Sequence, residues 1–230
     1  MNILYEDNHL IVIEKPYNMP SQSDSSKDPD VLRMVKDYLV EKYNKPGDAY
    51  VGLVSRLDRP CGGVMILAKT SKAASRLTEA FSKHDTVRKE YLAVIDGILP
   101  EDEGVLEDEL LKDRRTNTVK AVKKGTPDAK HAQLEYRALS RKENLTLVKI
   151  RLITGRPHQI RVQFSSRGYP LYGDQRYNPD PKPHAQLALW SYSLALIHPV
   201  KKEPLVITEY PKPTAVWKLF EEEINAMKES

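Results

Sequence analysis

A single cysteine, Cys61, stands in 230 residues. It excludes an intramolecular disulfide and leaves no cysteine cluster for a metal. Long apolar runs are missing as well: no stretch approaches the roughly 20 residues that a spanning helix requires. The opening Met1-Asn2-Ile3-Leu4-Tyr5-Glu6-Asp7 has neither the basic flank nor the apolar core of a signal peptide. These absences lead to the expectation of a cytoplasmic protein with no membrane partner. No P-loop, G-x-G-x-x-G, H-E-x-x-H or G-x-S-x-G motif occurs. The six histidines (His9, His84, His131, His158, His184 and His198) show no metal-ligand spacing with acidic residues. Repeats, Pro- or Gly-rich linkers and low-complexity tracts are absent too. Excess charge is small, and a net +4 permits nucleic acid as a partner without demanding it.

What is present is an ordinary globular composition, 40% hydrophobic and 30% charged, on a chain long enough for a core without staples. Residues 3–5 and 10–13 read as a hairpin, ended at Lys15-Pro16 because proline cannot donate to a ladder. Residues 21–29 are polar and read as a mobile loop. Asp30 caps a helix reaching Tyr43, with Val31, Val35, Leu39 and Tyr43 at helical spacing. Residues 64–68 form a buried strand. Ser71 then caps a helix whose apolar face is Ala74, Leu77 and Phe81. Further strands fall at 91–95, 132–139, 145–153, 188–197 and 205–208. A last helix, 214–226, turns Val216, Leu219, Phe220 and Ile224 inward. Many strands, few helices and no β-α-β alternation place the chain in the α+β class, with a mixed, largely antiparallel sheet and flanking helices.

Three segments carry candidate chemistry. In Ser55-Arg56-Leu57-Asp58-Arg59-Pro60-Cys61-Gly62-Gly63, a carboxylate lies between two guanidinium groups. Flanking cations keep Asp58 ionised and available as nucleophile or base. The plainer reading is a surface ion pair. Cys61 has no histidine nearby in sequence and reads as a packing residue. In Thr154-Gly155-Arg156-Pro157-His158-Gln159-Ile160-Arg161, Thr154 offers an N-cap and Pro157 suits a first turn. His158 and Arg161 then share one helix face. That is either a routine basic helix start or an anion site. The third segment, 168–177, is a tight Gly-Pro-Gly loop whose aromatics pack or stack. Separately, Lys112, Arg114, Arg115, Lys120, Lys123, Lys124 and Lys130 crowd one stretch against only Asp113 and Asp128. It reads as a solvated hairpin or as a phosphate-contacting arm.

Together and in this order, these segments resemble the pseudouridine synthases of the RluA type. Arg56-Leu57-Asp58 with Gly63 matches the family's R-L-D-x-x-x-x-G, and Lys89-Glu90-Tyr91 its K-x-Y. Gly155-Arg156-x-His158-Gln159-Ile160-Arg161 matches G-R-x-H-Q-I-R, and Gly168-x-Pro170-Leu171-x-Gly173-Asp174 the loop after it. Tyr5-Glu6-Asp7-Asn8-His9 leading to Lys15-Pro16 resembles the first family motif. Two positions depart: Ser55 replaces the usual His, and Cys61-Gly62-Gly63 the usual Thr-Ser-Gly.

The resemblance implies the pseudouridine synthase catalytic fold, with an active-site cleft across the sheet. It implies a single catalytic domain over 1–230 with no appended N-terminal RNA-binding domain; a monomer is expected separately, because no exposed apolar stripe in the sequence announces an interface. The activity implied is isomerisation of uridine to pseudouridine in structured RNA, ribosomal RNA first and tRNA second, with neither cofactor nor metal. Asp58 would be the catalytic carboxylate, attacking C1′ or taking a proton from C2′. Arg161 would pair with Asp58, and Tyr91 would stack on a flipped-out uracil. Arg56, Arg156, His158, Lys123 and Lys124 would bind the RNA. The rival readings are an RNA-binding module without catalysis, and a glycosidase-type hydrolase using Asp58, which would need a second carboxylate.

Overall fold

The run Leu10-Ile11-Val12-Ile13 must alternate faces if it is a strand, yet all four side chains are fully buried. Both faces of that strand are therefore covered, and the structure shows by what. It is a computed structural model that describes residues 1–83 and 86–229, so His84 lies outside the described residues. The chain forms two compact units, residues 1–88 with 191–209, and residues 89–190 with 210 onward.

In the first unit, β1 (Asn2–Glu6) pairs with β2 (Leu10–Lys15), and β2 with the wholly buried β4 (Gly62–Ala68). The two-residue β3 (Gly52–Leu53) also lies on β4, and β10 (Leu189–Ile197) pairs with β11 (Pro204–Thr208). The pairings β1–β2, β2–β4, β3–β4 and β10–β11 are antiparallel. On one face α1 (Val31–Lys42) sets Val31, Val35 and Leu39 against Ile11, Ile13, Met65 and Leu67. On the other, α2 (Ser71–Ser82) sets Ala73 and Leu77 against Leu10, Val12, Val64 and Ile66. Asp30 caps α1 as expected, its Oδ1 accepting from the Arg33 N–H at 3.0 Å. The cap of α2 is Thr70, one residue before the expected Ser71, because Ser71 is already helical.

The second unit is an antiparallel ladder in the order β5 (Val87–Asp96), β9 (Leu145–Leu152), β8 (Lys130–Lys142), β6 (Glu103–Asp113), β7 (Thr118–Val122). Neither β6 nor β7 was among the expected strands, although a hairpin was one reading of residues 112–130, where the end of β6 pairs with β7. β6 is rich in Glu and Asp, which are poor strand formers, and only its pairing with β8 makes it a strand. The short helix α3 (Gln159–Ser165) packs Val162 onto Leu110, Val119 and Ala132. The C-terminal helix is two pieces, a 3-10 turn Ala215–Phe220 and then α4 (Glu221–Glu229). Three residues per turn puts Trp217 and Phe220 on one buried face with Ile224, whereas Val216 and Leu219 are only half-buried.

Candidate functional site

Asp58 sits on the loop entering β4. The carbonyl of Asp58 accepts from the Cys61 N–H at 2.9 Å, which closes a turn. Two residues on, at the start of β4, a glycine is required, because Gly63 has φ +112 and an added Cβ would lie 2.2 Å from the Ser191 carbonyl oxygen. Beneath it lies Lys15, 0% exposed, whose ammonium donates to the carbonyls of Pro16 at 3.0 Å, Arg59 at 3.1 Å and Cys61 at 2.6 Å. Burial pushes this ammonium down to about 8, against the upward pull of nearby Cys61 and Asp58. Sequence reading treated Lys15 only as the end of a strand.

The stretch 21–29, expected to be mobile, is instead fastened to this loop. Ser21 Oγ donates to the Leu57 carbonyl at 2.9 Å and accepts from the Leu57 N–H at 3.3 Å. Arg59 reaches Ser26 Oγ at 3.0 Å and pairs with Asp24 at 3.4 Å and with Asp28. So one of the two guanidinium groups flanking Asp58 in sequence is spent on that stretch. Arg56 is exposed and, among the described residues, in no ion pair. Cys61 is buried, with its Sγ 3.5 Å from the Gly62 carbonyl, as a packing residue should be. Asp58 itself is left half-buried.

In the second unit, Tyr91 is buried on β5 opposite Ile150 of β9. Arg161 is buried on α3, and the partner that holds it there is Asp174, 1% exposed. Arg161 Nε and Nη2 donate to the two Asp174 oxygens at 2.8 and 2.7 Å, a bidentate pair. The same carboxylate accepts from the backbone N–H groups of Arg176 at 2.9 Å and Tyr177 at 3.1 Å. Burial pulls the Asp174 carboxyl upward, but Arg161 and those two N–H groups outweigh it, and the net shift is down. Gly173 precedes it at φ +74, where a Cβ would come within 2.2 Å of the Gln186 carbonyl oxygen. Asp174 was visible only as one letter of a motif; its role needed the fold.

Thr154 is not the cap of α3. Its hydroxyl donates to Gln159 Oε1 at 2.7 Å and accepts from the Gln133 N–H at 2.8 Å. His158 occupies the cap position in left-handed conformation, φ 52, with no side-chain cap bond. The seven-residue α3 and this cap do not make the anion-binding helix start that was one reading of the sequence. His158 and Arg161 do converge, on Tyr177: His158 Nδ1 lies 2.6 Å from its hydroxyl, and the guanidinium lies 5.0 Å over its ring. That hydroxyl also accepts from the Val119 N–H of β7 at 3.0 Å. Arg156 Nε donates to the His131 carbonyl at 2.7 Å.

The basic stretch is the β6–β7 hairpin and the turn beyond it. Lys112, Arg114, Arg115, Lys120, Lys123, Lys124 and Lys130 are all exposed, and among the described residues none is in an ion pair. Lys123 and Lys124 stand at the turn after β7, closed by the Thr126 N–H to the Lys123 carbonyl at 3.2 Å. No group of three or more His, Cys, Asp or Glu among the described residues is placed to hold a metal. No described helix is long and apolar enough to cross a membrane.

Residues 9–166 match the family model described as RNA pseudouridylate synthase. The chain is 34% identical over 207 residues to the uncharacterized RNA pseudouridine synthase YjbO of Bacillus subtilis, covering 88% of this chain and 70% of that protein. It is 32% identical over 211 residues to the dual-specificity RNA pseudouridine synthase RluA of Yersinia pestis, covering 89% and 96%. It is 31% identical over 236 residues to the ribosomal large subunit pseudouridine synthase D of Haemophilus ducreyi, covering 96% and 70%. Among solved structures, human RNA pseudouridylate synthase domain containing 4 shares the fold at a TM-score of 0.79 and 22% identity, covering 97% of this chain and 93% of that one. The chain belongs to the RNA pseudouridine synthases of the RluA type.

Proposed function

We infer that this protein is an RNA pseudouridine synthase, an isomerase, and that Asp58 is its catalytic carboxylate. The observation that carries the assignment is the construction around Asp58. Lys15, Ser21 and Gly63 fix the backbone around its loop from the buried side, while Asp58 itself is half-buried. The reaction breaks the N1–C1′ bond, turns the uracil and joins C5 to C1′; the hydrogen on C5 is lost and N1 gains one, so nothing is added or removed overall. Asp58 acts by attacking C1′ or by taking a proton from C2′. Arg161, held charged by Asp174, takes the part of partner to the Asp58 carboxylate. Tyr91 stacks on the uracil, which has left its own stack to reach the site.

Arg56, Arg156 and His158 contact the RNA close to the target. The exposed cations of the hairpin, Lys123 and Lys124 among them, supply sequence-independent affinity for phosphate. The same reading has a monomer working in the cytoplasm as one catalytic domain with its cleft across the sheet. Ribosomal RNA is the first target to try and tRNA the second.

Release of tritium from C5-labelled uridine in RNA tests this. Asp58→Ala is expected to release label about 10³-fold more slowly than the unaltered protein, the scale of losing a group that acts on the reacting atoms. Equal rates would remove Asp58 from the chemistry. Free uracil among the products would favour the hydrolase instead.

A further inference from the structure

The K-x-Y motif contains a residue that the reaction as described leaves unused. Lys89 lies two residues before Tyr91 on β5, so the two side chains leave the strand on the same face. At the rise of a strand their Cα atoms are about 7 Å apart. Cross-strand from Lys89 are Leu152 and, beyond it, Leu134, so its row of the sheet holds no acid. The acids nearby lie in the next row, facing the other way: Glu90 is 3.5 Å from Lys149, and Glu135 pairs with Arg151 at 3.4 Å. The side chain of half-buried Lys89 makes, among the described residues, no hydrogen bond and no ion pair.

A second cation stands beside it. A Cβ built on Gly155 would lie 3.4 Å from Lys89 Nζ, and the guanidinium of Arg156 acts on Lys89 by charge repulsion. Arg156 spends Nε on the His131 carbonyl and, among the described residues, has no carboxylate partner. Gly155 between them is exposed, and having no side chain it leaves the ammonium uncovered. Two like charges are thus held together without a counter-ion, one of them against apolar neighbours. Burial and the repulsion both push the Lys89 ammonium below the ordinary lysine range, a cost that an arriving anion would offset.

We propose that Lys89 and Arg156, on either side of Gly155, form a binding site for one phosphodiester of the RNA, placed about 7 Å along β5 from Tyr91. This rests on the reading of Tyr91 as the residue that receives the uracil. The site fixes the backbone next to the flipped nucleotide, so the base enters in one register. A phosphate there meets an ammonium and a guanidinium, charge-assisted donors that a neutral ligand would not repay for their loss of water.

The test is RNA binding as a function of salt, using a fluorescently labelled uridine-containing stem-loop that the unaltered protein binds. Each single-stranded phosphate contact contributes about 0.7 to the slope of log affinity against log salt. Lys89→Gln is expected to lower the slope by about that amount, Arg156→Gln to do likewise, and Lys89→Arg to keep it. A neutral methylphosphonate at one position beside the target uridine is expected to weaken binding to the unaltered protein and to weaken it less in Lys89→Gln, which keeps only Arg156 at that phosphate. An unchanged slope in both Gln variants, or no methylphosphonate position coupled to Lys89, would overturn the site. Should Lys89→Gln not fold, Arg156→Gln with the methylphosphonate series decides alone. Binding needs no turnover, so absence of tritium release would count against the proposed reaction and not against this site.

Discussion

The two units bury a cation by opposite means. In the first, Lys15 meets three neutral carbonyls, those of Pro16 and of Arg59 and Cys61 on the Asp58 loop, with no carboxylate among the described residues in hydrogen-bond contact. In the second, Arg161 meets a buried carboxylate that binds it at two points. The consequences differ in kind. Carbonyl dipoles hold an ammonium in place but do not cancel its charge, so burial wins and its titration falls to about 8. A bidentate carboxylate cancels the charge, so Asp174 shifts down despite its burial. The lesson is that a motif cation is read by its partner: Lys15 shapes backbone, whereas the Arg161 pair sets the direction of a charged side chain.

The largest expected effect comes from breaking the pair. Asp174→Ala removes the bidentate carboxylate that holds the buried Arg161 and is expected to cost about 3–5 kcal/mol, a drop of about 10 °C in melting temperature. The double variant Asp174→Leu with Arg161→Met should recover most of that loss, since two apolar residues replace both members of the buried ion pair. A thermal melt that moves by less than about 2 °C for Asp174→Ala would mean the pair is not what holds α3 to its loop.

Lys15→Met comes next, at about 2 kcal/mol, because the carbonyls of Pro16, Arg59 and Cys61 lose their donor while the methionine fills the space. Its pH dependence sharpens the contrast with Arg161. Between about 8 and the ordinary lysine value the unfolded chain binds a proton that the folded protein does not. Stability owed to Lys15 therefore rises as pH rises through that window. The gap between the unaltered protein and Lys15→Met, from denaturant melts at pH 7.5 and 9.5, should widen with pH. A gap that narrows would mean the ammonium is stabilised, not strained, by its three carbonyls.

The smallest effect is expected from Tyr177→Phe. It leaves the ring under Arg161 but deprives the Val119 N–H and His158 of a hydroxyl, at about 1 kcal/mol. A loss as large as that of Asp174→Ala would shift the weight of the cluster from the carboxylate to the tyrosine.

How much of this was legible in the sequence depends on the reach of each interaction. Asp30 was legible as a cap because its acceptor meets the Arg33 N–H three residues away. The runs in β2 and β4 were legible because strands covered on both faces stay apolar throughout. The Thr154 cap was misplaced because Gln133, 21 residues back, takes the hydroxyl. The mobile loop was misplaced because Ser21 and Asp28 find Leu57 and Arg59, more than 30 residues on. For β6 local composition pointed away from a strand, and the neighbouring β8 overrode it.

By itself, then, the sequence determined the α+β class, the order of the motifs and the family that those motifs mark. Periodicity and motif letters are properties of neighbouring residues, and they survive in a linear chain. Only the tertiary structure decided that Lys15 carries the loop of Asp58, that Asp174 holds Arg161, and that Lys89, without a carboxylate partner among the described residues, stands beside Arg156. Each depends on which distant group arrives at hydrogen-bond distance. That choice is made by packing the whole core, where an unpaired buried polar group costs more than most local preferences can supply.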